Sequence, residues 1–391
     1  MHVAIDASNV RQGGGLTHLT QLLNAANPAE AGITQITIWA CSTTAAQLPL
    51  RSWLIKRSPA WTEAGLFWRM FGQQFFLKQE ISRLGCDLLF SPGGTIPFHL
   101  GLPVIVMSQN LLPFEPDEAL RFGCWSPMRL KMWVLRLSQG WSFKRAQGVI
   151  FLTEYARSAI LDLIGPTHAS STVISHGIES RFMSAPRAQR RLEDCSFMDP
   201  FRLLYVSILM PYKHQVEVAK AVCALRSKGI PVSIQFAGEG WGHYGCTFGE
   251  LLEHLDPRGE YLRWSGAVPF DQLHRDYQQA DAFVFASSCE NLPNILLEAM
   301  AAGLPIACSN MGPMREVLGD AGLYFDPTNE DSIAETIVKL ASSPEMRSQL
   351  AALSFEKSTQ YSWQVCAKLT FDFIMQVFHS VNQSPSKTGN Q

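Results

Sequence analysis

The sequence lacks the patterns of disulfide-stapled, zinc-binding and membrane-spanning proteins. Its nine cysteines are scattered singly, and no C-x-x-C pair indicates a zinc site or a redox dithiol. No run reaches the roughly 18 uncharged apolar residues of a spanning helix, and the amino terminus lacks the basic and apolar regions of a signal peptide. These absences favour a cytoplasmic protein with reduced, mostly buried thiols, either soluble or peripheral to a membrane.

Charge is sparse and unevenly distributed. Charged residues make up 17% of the chain and hydrophobic residues 47%, with a net charge of −2, which indicates a globular protein. Residues 1–190 hold 17 lysines and arginines against 11 aspartates and glutamates, whereas residues 191–391 hold 15 against 23. The basic excess is too small and dispersed for a nucleic-acid partner. It suits an anionic membrane surface or a phosphate-linked acceptor, or it is ordinary scatter.

Short β-branched and aromatic runs alternate with longer amphipathic ones in two successive series. The predicted strands of the first series are MHVAID, ITQITIWA, CDLLFSP, PVIVMSQN, GVIFLT and TVISHG. Those of the second series are FRLLYVS, VSIQFAGEG, YLRWSGAV, AFVFASS, PIACSN and GLYFDP. Buried strands that alternate with helices imply parallel sheets. The pattern predicts an α/β protein of two doubly wound, Rossmann-like domains with a cleft between them.

Composition gives the expected domain boundaries. We predict an amino-terminal Rossmann-like domain at residues 1–185 and a carboxy-terminal Rossmann-like domain at residues 201–365. Residues 186–200 are polar, charged and bracketed by prolines, which is typical of a linker. Residues 366–380 have helical apolar spacing, and residues 381–391 lack any apolar pattern, which predicts a disordered tail.

The segment ENLPNILLE, which follows the strand AFVFASS, is the most informative feature of the chain. It places Glu290 in a loop and Glu298 inside the helix NILLEAMAAG, eight positions later. Loops after parallel strands bind ligands, and helix N-termini attract phosphate. The two carboxylates would lie at opposite ends of a ligand about 10 Å long. A nucleoside diphosphate sugar fits this spacing, with hydroxyl groups at both ends and phosphates near the helix.

Two glutamates at this spacing also occur by chance, but the preceding strand, Pro293 and the small-residue stop AAGLP make a composite pattern. The composite resembles the E-x7-E signature of retaining GT-B glycosyltransferases of family 4 type (glycosyl transferases group 1), most strongly from Phe201 to Asp326. The resemblance implies an acceptor-side domain at residues 1–185 and a nucleotide-sugar-binding domain at residues 201–365. It also implies a nucleoside diphosphate sugar as co-substrate, no cofactor, and a final helix that returns to the first domain. It implies that Glu290 orients the transferred sugar and that Glu298 holds the ribose. The remaining donor contacts would come from Ser207, Asn291, Leu292, Asn294 and Ile295.

Lys213 lies in the loop of YVSILMPYKHQVEV, between a predicted strand and a helix. It is either a solvated surface lysine or a point charge that stabilises the leaving diphosphate. The related loops resemble V-G-R-L-x-P-x-K-G, in which arginine and lysine bind the phosphates together. Here Ile208 stands at the arginine position and His214 at the final glycine position. Only the lysine is kept, so we expect less positive charge at the leaving group.

Weaker signals lie in the first half of the chain. Gly14 and Gly15 belong to a three-glycine turn before a helix, where the backbone could approach the donor, although many such turns are merely flexible. Asn110 follows the strand PVIVM and either contacts a sugar hydroxyl or forms an Asx turn before Pro113. His176 follows another strand, and its role is either structural or functional.

Two aromatic, basic stretches suggest where an acceptor would come from. Residues 61–78 place phenylalanines at helical spacing, and residues 128–145 mix tryptophan with arginine and lysine. Such helices either pack in a core or lie on a membrane surface.

The sequence as a whole predicts a retaining hexosyltransferase of the EC 2.4 class that acts on a glycan or lipid-linked glycan in surface polysaccharide biosynthesis. No D-x-D carboxylate pair is present, so we expect no required metal. We place the enzyme in the cytoplasm, at the inner face of the membrane if it contacts lipid. The alternatives are a catalytically inactive GT-B paralogue that binds glycan-assembly enzymes, and a two-domain sugar-binding protein, which would need an export signal.

Overall fold

A computed structural model of the chain describes residues 1–98, 100–123, 125–240 and 242–383. These residues form two compact units. The first unit comprises residues 1–114, residues 130–177 and the chain from Ser362 onward, and the second comprises residues 115–129 and 178–361. Of the predicted disordered tail, residues 384–391 lie outside the described part of the chain, and residues 381–383 end the last helix.

Thirteen strands and fifteen α-helices alternate along the described residues. The strands are β1 His2–Asp6, β2 Gln35–Trp39, β3 Leu54–Arg57, β4 Leu88–Ser91, β5 Val104–Met107, β6 Gly148–Phe151, β7 Ser170–Val173, β8 Phe201–Val206, β9 Val232–Ala237, β10 Leu262–Trp264, β11 Ala282–Phe285, β12 Ile306–Ser309 and β13 Leu323–Phe325. The α-helices are α1 Gly14–Ala25, α2 Ser42–Gln47, α3 Ala60–Glu63, α4 Leu66–Leu84, α5 Pro116–Leu120, α6 Pro127–Arg145, α7 Glu154–Ile164, α8 Gln215–Ser227, α9 Gly242–Leu255, α10 Leu273–Gln279, α11 Asn294–Ala301, α12 Met314–Leu318, α13 Glu330–Ser342, α14 Pro344–Ser358 and α15 Trp363–Gln383. Short 3-10 helices lie at Pro28–Ala31, Leu112–Phe114, Ser180–Phe182, Leu192–Asp194 and Pro211–Lys213.

The first unit contains a seven-stranded parallel sheet in the order β3-β2-β1-β4-β5-β6-β7. Every residue of β4, β5 and β6 is buried, because helices cover both faces of such a sheet. The strand order reverses between β1 and β4. In open α/β sheets, ligands bind outside the carboxyl ends of the strands at this reversal.

The second unit contains a six-stranded parallel sheet in the order β10-β9-β8-β11-β12-β13. Its order reverses between β8 and β11, which pair through Ala282 with Leu203 and Phe283 with Leu204. The prediction of an α/β fold with two doubly wound, Rossmann-like domains is confirmed by these two sheets.

The segment expected as a linker, residues 186–200, packs on the second unit. The guanidinium group of Arg347 is fully buried and donates hydrogen bonds to the backbone oxygen of Arg190 and to Gln189 Oε1. Its remaining N–H groups bind the carbonyl oxygens of Leu340, at 2.9 Å, and Ala341. A buried charge is stable only when it is hydrogen-bonded. Because the partners of Arg347 come from both residues 189–190 and the end of α13, the arginine holds the two segments together.

The last helix, α15, packs against α1 in the first unit. Three rings stack near its start: the ring of His18 lies 4.5 Å from that of His176, and the His176 ring lies 5.6 Å from Trp363. Burial, reinforced by the neighbouring His176, holds the pKa of His18 well below its usual range. His18 is therefore neutral in the folded protein at neutral pH. None of the described helices is long and apolar enough to cross a membrane.

We predict that acid destabilises the first unit through His18. His18 stays unprotonated in the folded state, whereas in the unfolded state it binds a proton with a pKa near 6.5. Its contribution to the free energy of unfolding is therefore complete above pH 6.5 and decreases as the pH falls below that value. Lowering the pH from 7.5 to 5.5 should cost about 1.4 kcal/mol for this residue. Urea unfolding at both pH values measures the loss.

The His18→Phe variant should lose part of this pH dependence, whereas the exposed His168→Gln should keep all of it. If His18→Phe shows the wild-type pH dependence, His18 is not a source of the acid sensitivity.

Candidate functional site

Lys213 lies at the carboxyl end of β8, in the 3-10 helix that precedes α8. Its side chain is 6% exposed, which excludes the solvated surface lysine that the sequence left open. Its ammonium group lies 5.1 Å from the ring centroid of Tyr212 and 5.5 Å from that of Phe285. The hydroxyl group of Tyr205, in β8, donates a hydrogen bond to the Lys213 carbonyl oxygen. The strand therefore fixes the backbone from which the charge projects.

Glu290, in the loop after β11, forms an ion pair with Lys213 through its Oε1 atom. The two residues are 77 positions apart in sequence, and the neighbouring strands β8 and β11 bring them together. Burial alone would lower the pKa of Lys213, but the adjacent Glu290 carboxylate outweighs burial and raises it. Lys213 is consequently a fixed positive charge at neutral pH. Both predicted catalytic side chains thus lie together at the strand reversal.

His214 follows Lys213 in a left-handed backbone conformation, with φ of 51°. It is the one non-glycine residue with positive φ in the described ranges. The imidazole is fully buried, and its Nε2 atom lies 3.1 Å from Ser288 Oγ. Ser288 Oγ in turn lies 2.6 Å from Glu118 Oε2, in α5. This hydrogen-bonded chain joins α5, the loop after β8 and the loop after β11.

Helix α11 starts at Asn294 beside this loop, with neither a side-chain cap nor an acidic residue in its first turn. Asn291 and Leu292 are buried just before it. The unopposed positive end of the helix dipole favours an anion here. Ile295 follows in the first turn, and its carbonyl oxygen accepts a hydrogen bond of 3.3 Å from Tyr277.

Glu298 lies one turn further along α11, and its Oε2 atom accepts a hydrogen bond of 3.0 Å from the Tyr277 hydroxyl group. Burial raises the pKa of Glu298 to about 8, against the lowering effect of Tyr277. The carboxyl group is thus largely protonated at neutral pH.

Ser207 and Ile208 occupy the start of the loop after β8. Ser207 is buried, and its hydroxyl group donates to the Ile208 carbonyl oxygen at 3.0 Å. Gly238, after β9, approaches this point so closely that a Cβ atom would lie 1.9 Å from the Ser207 carbonyl oxygen. Ile208 is 42% exposed, so an apolar side chain faces solvent at the start of this loop.

In the first unit, the glycine turn follows β1 and Gly13 caps α1 with φ of 69°. A Cβ atom on Gly15 would lie 2.8 Å from Gln109 Oε1, so the lack of a side chain at Gly15 leaves room for the Gln109 amide. Asn110 Oδ1 accepts a 3.2 Å hydrogen bond from the Leu112 backbone N–H, which is the Asx turn that the sequence left open. His176 is buried in the ring stack described above. The donor contact of Gly14 and Gly15 and the sugar contact of Asn110 stay predictions.

Sequence reasoning missed three side chains around the site: Glu118, Tyr277 and Ser288. Glu118 and Ser288 are 170 positions apart, and no local pattern links them. Tyr277 sits in the short helix α10, which carries no motif. Across the described part of the chain, no group of three histidine, cysteine, aspartate or glutamate side chains is placed to hold a metal ion.

Comparison with known proteins shows what the second unit is similar to. Residues 193–354 match the family model described as Glycosyl transferases group 1. The O-antigen chain mannosyltransferase B of Escherichia coli is 35% identical over 126 residues, which is 32% of this chain and 33% of that protein's length. The glycogen synthase of Mycobacterium tuberculosis is 24% identical over 325 residues, or 82% of this chain and 74% of that protein.

A solved structure extends the likeness to the whole chain. Anabaena HepE in complex with UDP and glucose superposes with a TM-score of 0.67 at 15% identity, covering 98% of this chain and 99% of that protein. At this identity the likeness establishes the fold, which is GT-B. Residues 193–354 therefore resemble the glycosyl transferases group 1 model and lie within a GT-B fold.

We predict that the left-handed backbone at His214 is strained. Replacement by glycine should leave the protein about 1 kcal/mol more stable than replacement by alanine, because both variants lose the imidazole and only glycine relieves the backbone. Urea unfolding of His214→Gly and His214→Ala measures the difference. Equal stability of the two variants would show that the residue carries no backbone strain.

Proposed function

We propose that this protein is a retaining glycosyltransferase of family 4 type that transfers a hexose from a nucleoside diphosphate sugar to a hydroxyl group. The partly buried Lys213–Glu290 pair, at the β8–β11 reversal and beside the N-terminus of α11, is the observation that carries the proposal. It lies inside the residues that match the group 1 family model. The arrangement supplies a cation, a carboxylate and a helix dipole at one ligand-binding edge.

The reaction breaks the bond between the anomeric carbon and the diphosphate oxygen and forms a bond to the acceptor oxygen on the same face of the sugar. Lys213 and the first turn of α11 stabilise the negative charge that develops on the diphosphate. The departing phosphate oxygen takes the acceptor proton, so no separate protein base is needed. Glu290 orients the transferred sugar and balances positive charge near its anomeric carbon. The step needs neither a cofactor nor a metal ion.

The donor's ribose is assigned to Glu298, at the far end of the pattern. Ser207, Asn291, Leu292, Asn294 and Ile295 line the same loops and complete the proposed donor contacts. The acceptor is a glycan or a lipid-linked glycan of surface polysaccharide biosynthesis, and transfer takes place in the cytoplasm or at the inner face of the membrane. An O-antigen mannosyltransferase among the relatives and the UDP complex of HepE support this assignment.

A second candidate is favoured by Ile208. An apolar, 42% exposed side chain stands where related loops carry a phosphate-binding arginine. A catalytically inactive paralogue that binds glycan-assembly enzymes would tolerate this loss. Nucleotide binding together with donor turnover separates the two candidates.

We predict that one of UDP, GDP and ADP raises the melting temperature at millimolar concentration. The shift follows the ligand concentration relative to Kd, so the cognate base should stand out. Lys213→Met should weaken the shift. The matched control is Lys220→Met, because Lys220 lies on α8 and forms a solvent-accessible ion pair with Glu330, at the start of α13. The absence of a shift with every nucleotide would favour the inactive paralogue.

We predict that Lys213→Met and Glu290→Gln each slow transfer by about 2–4 kcal/mol in transition-state stabilisation, or roughly 30- to 900-fold. Release of the nucleoside diphosphate from the cognate donor measures turnover, in the presence and absence of EDTA. Near-normal turnover in either variant would remove that residue from the mechanism, and a loss with EDTA would show that a metal is required.

We predict that nucleotide affinity rises with pH between 6.5 and 8.5, because ribose hydroxyl groups donate to the ionised form of Glu298, whose pKa is about 8 in the free protein. The gain should be about tenfold and should be absent in Glu298→Gln. Titration calorimetry at several pH values measures it. A pH-independent affinity in the wild type would argue against contact between Glu298 and the ribose.

A further inference from the structure

Helix α4 exposes an unusual number of large apolar side chains. Seven of them, all in its first eleven residues, are between 39% and 76% exposed: Leu66, Phe67, Trp68, Met70, Phe71, Phe75 and Phe76. Their rings contact one another, as in the 4.5 Å pair Phe71–Phe75 and the edge contact Trp68–Phe71 at 6.0 Å. The helix packs on its own unit through other residues, Gly72, Gln73, Leu77 and Ile81. These aromatic side chains therefore do not pack in the core, which was one of the two roles that the sequence left open for them.

Helix α6 carries a second exposed apolar stripe. Leu130, Trp133, Val134 and Leu137 follow the spacing of one helix face and are between 46% and 63% exposed. The chain crosses from β3 to β4 through α4, and from β5 to β6 through α6, in the same direction along the sheet. Right-handed crossovers place both helices on the same face.

Phe98 links the two helices. Its backbone N–H donates a 2.6 Å hydrogen bond to Gln74 Oε1 in α4, and its ring lies 4.7 Å from that of Trp141, which continues the α6 stripe. Phe98 is itself 56% exposed. The apolar side chains of α4, Phe98 and α6 therefore form one surface, which we call the aromatic face.

The charges on the two helices that form the aromatic face are almost all positive. Residues 66–84 and 130–145 contain seven basic side chains and one acidic side chain, Glu80. Glu80 is turned away from the face, because its Oε2 atom accepts a 2.7 Å hydrogen bond from the indole N–H of Trp39, in β2. The exposed basic residues are Lys78, Arg83, Lys131, Lys144 and Arg145. Arg145 also lies over the ring of Trp141, at 5.8 Å.

We propose that the aromatic face binds the surface of an anionic phospholipid bilayer. Aromatic rings partition to the boundary between headgroups and acyl chains, and lysine and arginine attract anionic headgroups. A second protein chain would bury the rings as well, but it gives no reason for the one-sided charge. The basic excess of the first half of the chain, for which the sequence left a membrane surface, a phosphate-linked acceptor and ordinary scatter open, is concentrated here.

The test is co-sedimentation of the full-length protein with vesicles, without donor or acceptor, so its outcome is independent of the transferase proposal. One set of vesicles contains equal parts of phosphatidylcholine and phosphatidylglycerol, and the other contains phosphatidylcholine alone. We expect binding to the anionic vesicles, weakened by salt. The triple variant Phe67→Ser/Phe71→Ser/Phe75→Ser and the double variant Lys131→Glu/Lys144→Glu should each reduce the partition coefficient roughly tenfold or more.

Matched controls come from exposed residues of the second unit. Phe197→Ser, at a side chain that is 52% exposed, and Lys339→Glu, on α13, should bind vesicles as the wild type does. All substituted side chains are exposed, so urea midpoints should stay near the wild-type value. Absence of wild-type binding to anionic vesicles, or wild-type binding by the triple variant, would overturn the proposal. Lipid-free dimers that the triple variant abolishes would also overturn it, by assigning the face to a second copy.

Discussion

A buried ammonium group sets the geometry of the carboxyl edge of the second unit's sheet. Lys213 needs the Glu290 carboxylate as its partner, because an unpaired buried charge would cost several kcal/mol. The pair therefore connects the loop after β8 to the loop after β11. The hydrogen bond from the Tyr205 hydroxyl group to the Lys213 carbonyl oxygen holds the lysine backbone in place. An ammonium group has three N–H donors. It can hold Glu290 with one and still offer the others to a phosphate, so ligand binding does not have to break the pair.

The order of the strands makes this pair possible. Because β8 and β11 are neighbours at the reversal, their carboxyl ends lie together although the residues are far apart in sequence. The helix after β11 then points its N-terminus at the same edge, and Glu298 follows one turn inside it. A single topological feature thus brings the cation, the first carboxylate and the helix dipole to one place. The second carboxylate needs Tyr277, from a different helix, to hold its position.

Local pattern was enough to predict most of the fold and only part of the site. Eleven of the thirteen strands were predicted in place, because most buried parallel strands are continuous apolar runs, and the predicted segment TVISHG overlaps β7 only at Thr172 and Val173. The strand that was not predicted, β3, is an edge strand whose sequence LIKR is half polar and alternates in burial. The positions of Lys213 and Glu290 followed from pattern and resemblance, but their contact is tertiary. The link from His214 through Ser288 to Glu118 joins three distant segments, which no single stretch of sequence encodes.

Ile208 raises the question of whether the site has enough positive charge to act. One charge-assisted contact to a phosphate contributes about 1.5–3 kcal/mol, which corresponds to a factor of roughly ten to a hundred in rate. Enzymes typically accelerate their reactions by at least about a millionfold over the uncatalysed rate. The loss of one arginine is small beside that total, provided that Lys213 and the α11 dipole remain in place, as they do. The substitution is therefore compatible with a slower transferase as well as with an inert one, and in the proposed reaction Lys213 is the main cation for the leaving group.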